Sequence, residues 1–312
     1  MHLSVKLGCL AVVNVLLVFF YQWYILSAVG PGSETDALFA SMVVPQLLLA
    51  VITGSLIQVL VPLLTIEDKG AFQKEAWNFF QGIGFVFFVM ALLLFGTATL
   101  WTPWIVPGFD LETQLLTITL VRIQLVGMVF MALNGVAWSA YHSRQKFLWA
   151  EMSAVLGTLG GFLLLLWGLP RFGIIMAAWA MVLRSALQTV LLLSGLGEYR
   201  APDWKSQAAV KAWRRLYPLL LGSTFYKTGT LVDRFLASMT SAGQLSLLYF
   251  ASQIYQAGNL ILGKALAAPM VPLLAKRASA REWILFRKMV NNKLLWTLGI
   301  TLAAFIGIGF FG

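Results

Sequence analysis

The sequence has very few of the residues that carry metal or redox chemistry. Among its 312 residues, Cys9 is the one cysteine, and His2 and His142 are the two histidines. A lone cysteine excludes an internal disulfide framework and a thiolate metal cluster. Two histidines remove most catalytic and metal-binding options. Because no nucleotide loop or zinc-protease motif appears either, we expect a protein that is not an enzyme and that uses no cofactor.

Charged residues are also scarce. They make up 11% of the chain, while 60% is hydrophobic and the mean hydropathy is +0.83. A soluble domain has about 25% charged residues. Apolar runs of at least about 18 residues, the length that crosses a bilayer as a helix, recur along the chain. The composition predicts an all-α, polytopic transmembrane helix bundle.

Nine membrane spans are predicted, of which two are too long for one straight crossing. Pro45 interrupts the second span, and Gly258, Gly263 and Pro269 interrupt the eighth, because proline removes a backbone donor and bends helices. The approximate spans are 5–29, 36–64, 77–101, 114–141, 147–168, 172–196, 214–239, 243–275 and 291–311.

The net charge of +10 indicates topology rather than a nucleic-acid partner. With the N-terminus in the cytoplasm, the inner segments hold most of the Lys and Arg residues, whereas the outer loops hold Arg171 and the acids Glu34, Asp110 and Glu112. This asymmetry is the positive-inside pattern of a multi-pass membrane protein. Membrane lipids are therefore expected partners.

Five cationic residues remain inside the predicted spans. Each costs about 2.5–3.5 kcal/mol at mid-bilayer on insertion scales, so each needs a protein interior, a wet cavity or a route to the interface. Arg122 and Arg234 lie where they can reach the interface, and Arg184 is interpreted as a structural contact because no motif surrounds it. The five are Arg122, Arg184, Lys227, Arg234 and Lys264.

Three of these cations form the candidate anion-binding set. Lys227 and Arg234 are seven residues apart and share a helix face, with Asp233 beside it. A buried ion pair is one interpretation of this trio, and a cavity for an anion is the preferred one. Lys264 has no acidic neighbour in sequence, which favours anion binding.

An internal repeat connects the two ends of the chain. Asp36, Ala40, Ser41 and Met42 recur in register as Asp233, Ala237, Ser238 and Met239. Each copy is followed by a long interrupted span that ends in Val-Pro-Leu-Leu, at 61–64 and 271–274. Parallel repeats of this kind place a transport substrate between two lobes. We therefore predict an N-terminal lobe at 1–198 with six helices and the start of a C-terminal lobe at 199–312 with three.

These residues resemble the MurJ/MviN-type lipid II flippases of the multidrug and polysaccharide exporter superfamily. The matching pieces occur in family order along nearly the whole chain: the turn at 30–39, Pro45, Val61-Pro62, the outer loop at 107–110 and the stretch from Asp233 to Pro272. The resemblance implies a two-lobed bundle in the bacterial inner membrane that opens alternately to each side. It also implies a lipid-linked oligosaccharide as the partner and cargo.

The sequence departs from that family in three respects. The arginines usual in the first two spans are absent from 20–24 and 47–50, Gln253 stands where the family usually has an arginine, and Lys264 is a cation where the family is usually apolar. The family also has at least twelve spans, so the second lobe is expected to be truncated. The cargo therefore stays open among lipid II-like precursors and polysaccharide repeat units.

The predicted function is outward translocation of a polyprenyl-pyrophosphate-linked saccharide by alternating access. The candidate substrate-binding residues are Lys264, Lys227, Arg234, Asp233, Gln253 and Asp36. The alternatives are a cation-coupled exporter of the same superfamily, an integral-membrane glycan enzyme and an inactive scaffold homologue. The energy source and the oligomeric state are open.

Overall fold

The computed structural model describes residues 2–66, 69–201, 203 and 229–262, with the isolated positions 214, 282–285, 287, 290, 291 and 299. Residues 1–253 form one compact unit and residues 254–312 a second. Every secondary-structure element in the described ranges is helical. The helices are α1 (His2–Val29), α2 (Ser33–Ser41), α3 (Val43–Ile66), α4 (Lys69–Ile105), α5 (Leu111–Ser143), α6 (Phe147–Phe172), α7 (Ile174–Leu193) followed by a 3₁₀ turn (Ser194–Leu196), α8 (Gly229–Ser238) and α9 (Gln244–Leu262).

Five of these helices are long and apolar enough to cross a membrane. They are α1 from Lys6, α4 from Gly70, α5, α6 and α7 with its 3₁₀ turn. They coincide with the first, third, fourth, fifth and sixth predicted spans, so the all-α membrane class is confirmed. The predicted spans at 214–239 and 291–311 lie largely outside the described residues.

The second predicted span is broken, but not at its proline. The helix stops at Ser41, turns at Met42 and restarts at Val43, so Pro45 lies in the first turn of α3. In the first turn the missing proline N–H has no carbonyl to bond, and its fixed φ suits a helix start. The predicted interruption at Gly258 was wrong, because α9 continues through it to Leu262. Gly263 and Pro269 lie outside the described residues.

Helix α5 forms the centre of the first unit. It packs against α2, α3, α4 and α7, and most of its side chains on those faces are buried. The Asn134 amide donates to the Ser185 carbonyl at 3.2 Å and accepts from the Thr189 hydroxyl at 3.0 Å. Since lipid offers no water to buried polar groups, these bonds satisfy the amide inside the bundle and fix the register of α5 against α7.

Helices α6 and α7 approach closely because glycines line their seam. A Cβ at Gly161 would lie 2.8 Å from the Ala180 carbonyl oxygen and 2.9 Å from the Arg184 Cβ. A Cβ at Gly157 would lie 2.8 Å from the Arg184 carbonyl oxygen. Small residues at such positions let two membrane helices bring their backbones into contact. The seam therefore holds the backbone of Arg184 in a fixed position.

We expect Gly161→Ala to destabilise the protein by about 1–3 kcal/mol, because backbone atoms of α7 must move to admit the methyl group. Thermal unfolding of the purified protein measures the change. Gly96→Ala is the matched control, because nothing lies within 4 Å of a Cβ at this helical glycine. The control should be neutral or stabilising, since alanine is the better helix former. Equal melting temperatures for the two variants would contradict a tight seam.

Candidate functional site

The two ends of the bundle differ in charge. The end that carries Glu34, Asp110 and Glu112 is called the acidic end. The opposite end, with Lys74, Arg144 and Lys146, is called the basic end. At the acidic end, Asp110 precedes the first residue of α5 and accepts a hydrogen bond from the Thr113 hydroxyl. That bond holds the pKa of the Asp110 carboxyl below its usual range.

Asp36 joins the beginning of the chain to the beginning of α9. One carboxylate oxygen accepts from the Gly243 backbone N–H at 2.6 Å, and the other accepts from the Ser246 N–H at 2.7 Å. These N–H groups belong to the cap position and the first turn of α9, which have no helical partner of their own. A carboxylate there is also favoured by the positive end of the helix dipole. Asp36, only 2% exposed, therefore caps a helix more than 200 residues away.

The residue at the cap position explains why a side chain from another helix supplies this cap. Gly243 occupies the cap position and has no side chain to donate or accept. Its φ of +92° is in the left-handed region that favours glycine, and a Cβ would lie 3.0 Å from the Pro31 carbonyl group. Glycine thus makes the turn possible and leaves the helix end to Asp36. We call Asp36, Gly243 and Ser246 the acidic-end clamp.

Two further contacts support the acidic-end clamp. The Thr35 hydroxyl accepts from the Gly32 N–H at 2.9 Å and lies 3.4 Å from the Ser246 hydroxyl. Gly108, in the loop between α4 and α5, lies so close to the backbone of Ser238 and Met239 that a Cβ there would collide with it. The acidic end is thus closed by contacts between the first half of the chain and the turn that joins α8 to α9.

A tyrosine lies directly below the clamp, toward the middle of the bundle. Tyr249 of α9 is 2% exposed and stacks on Phe39 of α2 with ring centroids 4.4 Å apart. Its hydroxyl accepts from the Gln46 amide at 3.2 Å. The guanidinium carbon of Arg234 lies 4.5 Å from the Tyr249 ring centroid, which is a cation–π contact. One Arg234 nitrogen, Nη1, is buried and has no hydrogen-bond partner among the described residues.

Arg184 of α7 is the second cation near Tyr249. It is partly buried and lies within electrostatic range of the hydroxyls of Tyr21 and Tyr249. Tyr21 in turn donates to the Ala177 carbonyl at 3.2 Å. Arg234 thus contacts the Tyr249 ring, and Arg184 lies near the same tyrosine from a second helix. We call Arg184, Arg234 and Tyr249 the arginine–tyrosine cluster.

The predicted site residues lie in different places. Asp36 caps the start of α9, and Arg234 lies over the Tyr249 ring. Asp233 is exposed, and it forms no salt bridge with Arg234 in the described part of the chain. Gln253 is half-buried on α9, one turn beyond Tyr249. Lys227 and Lys264 lie outside the described residues, so their roles stay predictions.

The sequence did not single out Tyr249, and the structural interpretation of Arg184 stays a prediction. The available signal was helical spacing, because Tyr249 and Gln253 are four residues apart and share one face of α9. Nothing local in the sequence links Arg184 to α9. Arg122 is partly buried, and its guanidinium carbon lies 5.2 Å from the Phe95 ring centroid, so its route to the interface stays a prediction.

Five helices of membrane-spanning length and composition define the class of the chain: it is a multi-pass helical membrane protein. The family model for lipid II flippase MurJ matches residues 25–312, and the chain belongs to that family. The family is one of transporters, not enzymes, and it places the chain among multi-pass proteins of the bacterial inner membrane.

Two relatives have the name probable lipid II flippase MurJ. The protein from Buchnera aphidicola subsp. Acyrthosiphon pisum (strain APS) is 22% identical over 96% of this chain and 60% of its own length. The protein from Helicobacter pylori (strain J99) is 23% identical over 89% of this chain and 66% of its own length. The chain thus spans roughly 60% of the length of these relatives.

Solved structures have the same fold at low sequence identity. Lipid II flippase MurJ in its inward closed conformation superposes with a TM-score of 0.72 and is 18% identical, covering 89% of this chain and 59% of that chain. An inward-facing multidrug resistance MATE family transporter of the MOP superfamily gives a TM-score of 0.71 at 15% identity, covering 96% of this chain and 68% of that chain.

Proposed function

We propose that the chain is the cargo-handling part of a flippase that moves a polyprenyl-pyrophosphate-linked saccharide from the inner to the outer leaflet. The arginine–tyrosine cluster is the observation that carries the proposal. Two guanidinium groups within an apolar bundle attract an anion, and a pyrophosphate offers several oxygens for charge-assisted hydrogen bonds. The unpartnered Nη1 of Arg234 is a donor available for such an oxygen.

The basic end faces the cytoplasm in this proposal, following the positive-inside rule. The acidic end then faces outward, and the acidic-end clamp keeps it shut while cargo enters from the inside. Opening the acidic end requires Asp36 to leave the Gly243 and Ser246 N–H groups. Water then solvates the carboxylate and the freed donors, so the net cost of opening is far smaller than the strength of the bonds themselves. A clamp of this kind can alternate between two states.

The proposed lobe boundary at 198–199 fits the same mechanism. A short helix, a turn and a longer helix occur as α2 and α3 in one copy of the repeat and as α8 and α9 in the other. Asp36 in one copy caps α9 in the other, so the clamp joins the proposed lobes directly. Alternating access then consists of making and breaking this joint.

The test is a vesicle assay that measures how fast a fluorescent polyprenyl-pyrophosphate saccharide changes leaflets. Lipid II-like and polysaccharide repeat-unit cargoes are compared with a cationic drug moved by an imposed sodium or proton gradient. We expect flipping of at least one lipid-linked cargo and no gradient-driven drug export. Each oxygen of Asp36 accepts an N–H group in the closed acidic end, so sodium would have to compete with those donors for this acid. Drug export without lipid flipping would overturn the proposal.

Lys264→Ala supplies a separate prediction. If Lys264 binds the pyrophosphate, its removal should reduce flipping at least tenfold, because charge-assisted bonds contribute about 1.5–3 kcal/mol. The amount of folded protein should stay unchanged, as judged by size-exclusion chromatography. Lys74→Ala is the control, since Lys74 is paired with Asp203 at 2.8 Å at the basic end. Unchanged flipping in Lys264→Ala would remove Lys264 from the site.

A further inference from the structure

A polar cavity lies at the basic end, away from the arginine–tyrosine cluster. The start of α4, the end of α5 and the 3₁₀ turn after α7 enclose about 360 Å³. Its polar lining consists of Gln73, Tyr141, Arg144, Lys146 and Ser194, and Phe72 contributes a ring. None of the lining residues, all in the described part of the chain, is an acid. We call this cavity the basic pocket.

The end of α5 positions both cations of the basic pocket. The Gln145 N–H bonds to the His142 carbonyl, and the Lys146 N–H bonds to the Tyr141 carbonyl, each at 3.0 Å. These two bonds form a Schellman motif, which terminates a helix with one residue in the left-handed region. That residue is Gln145, with a φ of +57°, where glycine is the usual choice. The sharp turn places Arg144 and Lys146 on either side of Gln145.

The opposite wall is built around a tyrosine. The Tyr141 and Ser194 hydroxyl oxygens are 2.9 Å apart. Gly195 lies against the Tyr141 ring so closely that any Cβ would collide with it. Gly197 has a φ of +77°, and a Cβ there would likewise collide with the Gln73 side chain. The wall is therefore packed and presents hydroxyl and amide groups beside the two cations.

The cations of the basic pocket lack an acidic partner within the described ranges. The guanidinium carbon of Arg144 lies 4.0 Å from the Phe72 ring centroid, an arrangement that uses the face of the group and leaves its N–H edge for an acceptor. The salt bridge seen at this end joins Lys74 to Asp203 instead. Two cations and neutral donors in one cavity form a site for an anion of phosphate size.

An apolar groove begins next to the basic pocket. Gln73 lines the pocket and Trp77, one turn further along α4, lines a cavity of about 590 Å³ that continues to Phe88 and Val129. From there a wholly apolar cavity of about 460 Å³ continues to Phe95. The residues follow one face of each helix at three- and four-residue steps. Trp77 to Phe95 spans about 27 Å along the helix, close to the thickness of the hydrocarbon core.

We propose that the basic pocket binds the phosphate of an anionic phospholipid, whose acyl chain occupies the groove between α4 and α5. Arg144 and Lys146 hold the phosphate oxygens, and the hydroxyls of Tyr141 and Ser194 hold the remaining headgroup oxygens. Basic pockets at the ends of membrane helices are suited to such headgroups. The bound lipid fixes the position of the α4–α5 pair in the bilayer. This site is independent of the cargo proposed above.

Thermal unfolding in phosphatidylcholine nanodiscs doped with increasing phosphatidylglycerol tests the proposal. We expect a stabilisation that saturates, with half-saturation raised about fivefold in Arg144→Gln or Lys146→Gln and about 25-fold in the double variant, since each surface cation contributes about that much to anionic-lipid binding. Arg171→Gln is the matched control: Arg171 is an exposed cation 4.6 Å from the Trp167 ring. The control should titrate like wild type.

The probe molecules distinguish the lipid from a free anion. Inorganic phosphate and glycerol 3-phosphate at the same concentration should give no stabilisation, because they have no acyl chain for the groove. Equal stabilisation by either would overturn the lipid assignment, and a response to phosphatidylglycerol that the double variant retains in full would overturn the site. Arg144→Lys keeps the charge but loses the planar edge, so its half-saturation should lie between those of wild type and Arg144→Gln. If Arg144→Gln does not fold, Lys146→Gln alone tests the pocket.

Discussion

Asp36→Asn is expected to open the acidic end of the protein. An Asn oxygen can accept one of the two N–H bonds now made by the carboxylate, but the amide NH₂ then faces the second N–H donor. A buried unpaired donor costs about 1–3 kcal/mol, and the lost charge removes the favourable interaction with the α9 dipole. We expect about 2–4 kcal/mol of destabilisation at the acidic-end clamp. In the proposed flippase, transport should fall at least tenfold.

Amide hydrogen exchange of a peptide that covers residues 243–250 measures the opening directly, because exchange reports local unfolding of the hydrogen-bonded amides. Exchange there should become faster in Asp36→Asn while α5 keeps its protection. Glu112→Gln is the matched control, since it removes one negative charge from an exposed position at the same end. Unchanged exchange in Asp36→Asn would show that the cap does not hold the two segments together.

Arg234→Gln should weaken the handling of a pyrophosphate-linked cargo by about 10- to 100-fold. The guanidinium is the group at the Tyr249 ring with a free buried nitrogen, and a charged hydrogen bond contributes about 1.5–3 kcal/mol. Arg234→Lys should give an intermediate value, because an ammonium keeps the charge but lacks the planar edge that bonds two oxygens at once. Flipping rates in the vesicle assay, with cargo concentration varied, measure both variants.

Arg171→Gln again serves as the comparison for Arg234→Gln. Arg171 also lies over an aromatic ring, Trp167, but at the end of α6 and exposed. Its removal should leave flipping unchanged. If Arg234→Gln also flips at the wild-type rate, the arginine–tyrosine cluster does not bind cargo, and the anion site must be sought at other cations of the chain.

The class of the protein and most of its helices follow from the sequence. The predicted spans at 77–101, 114–141 and 147–168 lie inside α4, α5 and α6, because apolar composition sustained over a bilayer thickness leaves a helix as the way to satisfy the backbone. The exact position of the break in the second span could not be predicted from the sequence. Pro45 identified the region, yet the chain turns at Met42, since proline is accommodated in the first turn of a new helix.

The candidate site was predicted only in part. Asp36 and Arg234 stood out because charged residues are costly in apolar sequence. Their partners could not be recognised, because nothing in the local sequence marks Gly243, Ser246 and Tyr249 as partners. Substrate binding by Asp36 stays a prediction; the structure adds that its carboxylate accepts two backbone N–H groups. A carboxylate can bind a cation, a neutral hydrogen-bond donor or a helix N-terminus, and spacing along the chain does not select among them.

By itself, the sequence determined a multi-pass helical membrane protein with charge asymmetry between its ends, a repeated Asp-x-x-x-Ala-Ser-Met segment and family membership. These are local properties of composition and order. The tertiary structure decided which repeat copy is buried: Asp36 lies under α9, whereas Asp233 is exposed. It also decided that Arg234 of α8 lies over the ring of Tyr249 of α9. Such encounters depend on how helices pack across more than 200 residues of chain, and that packing is set by contacts no single segment contains.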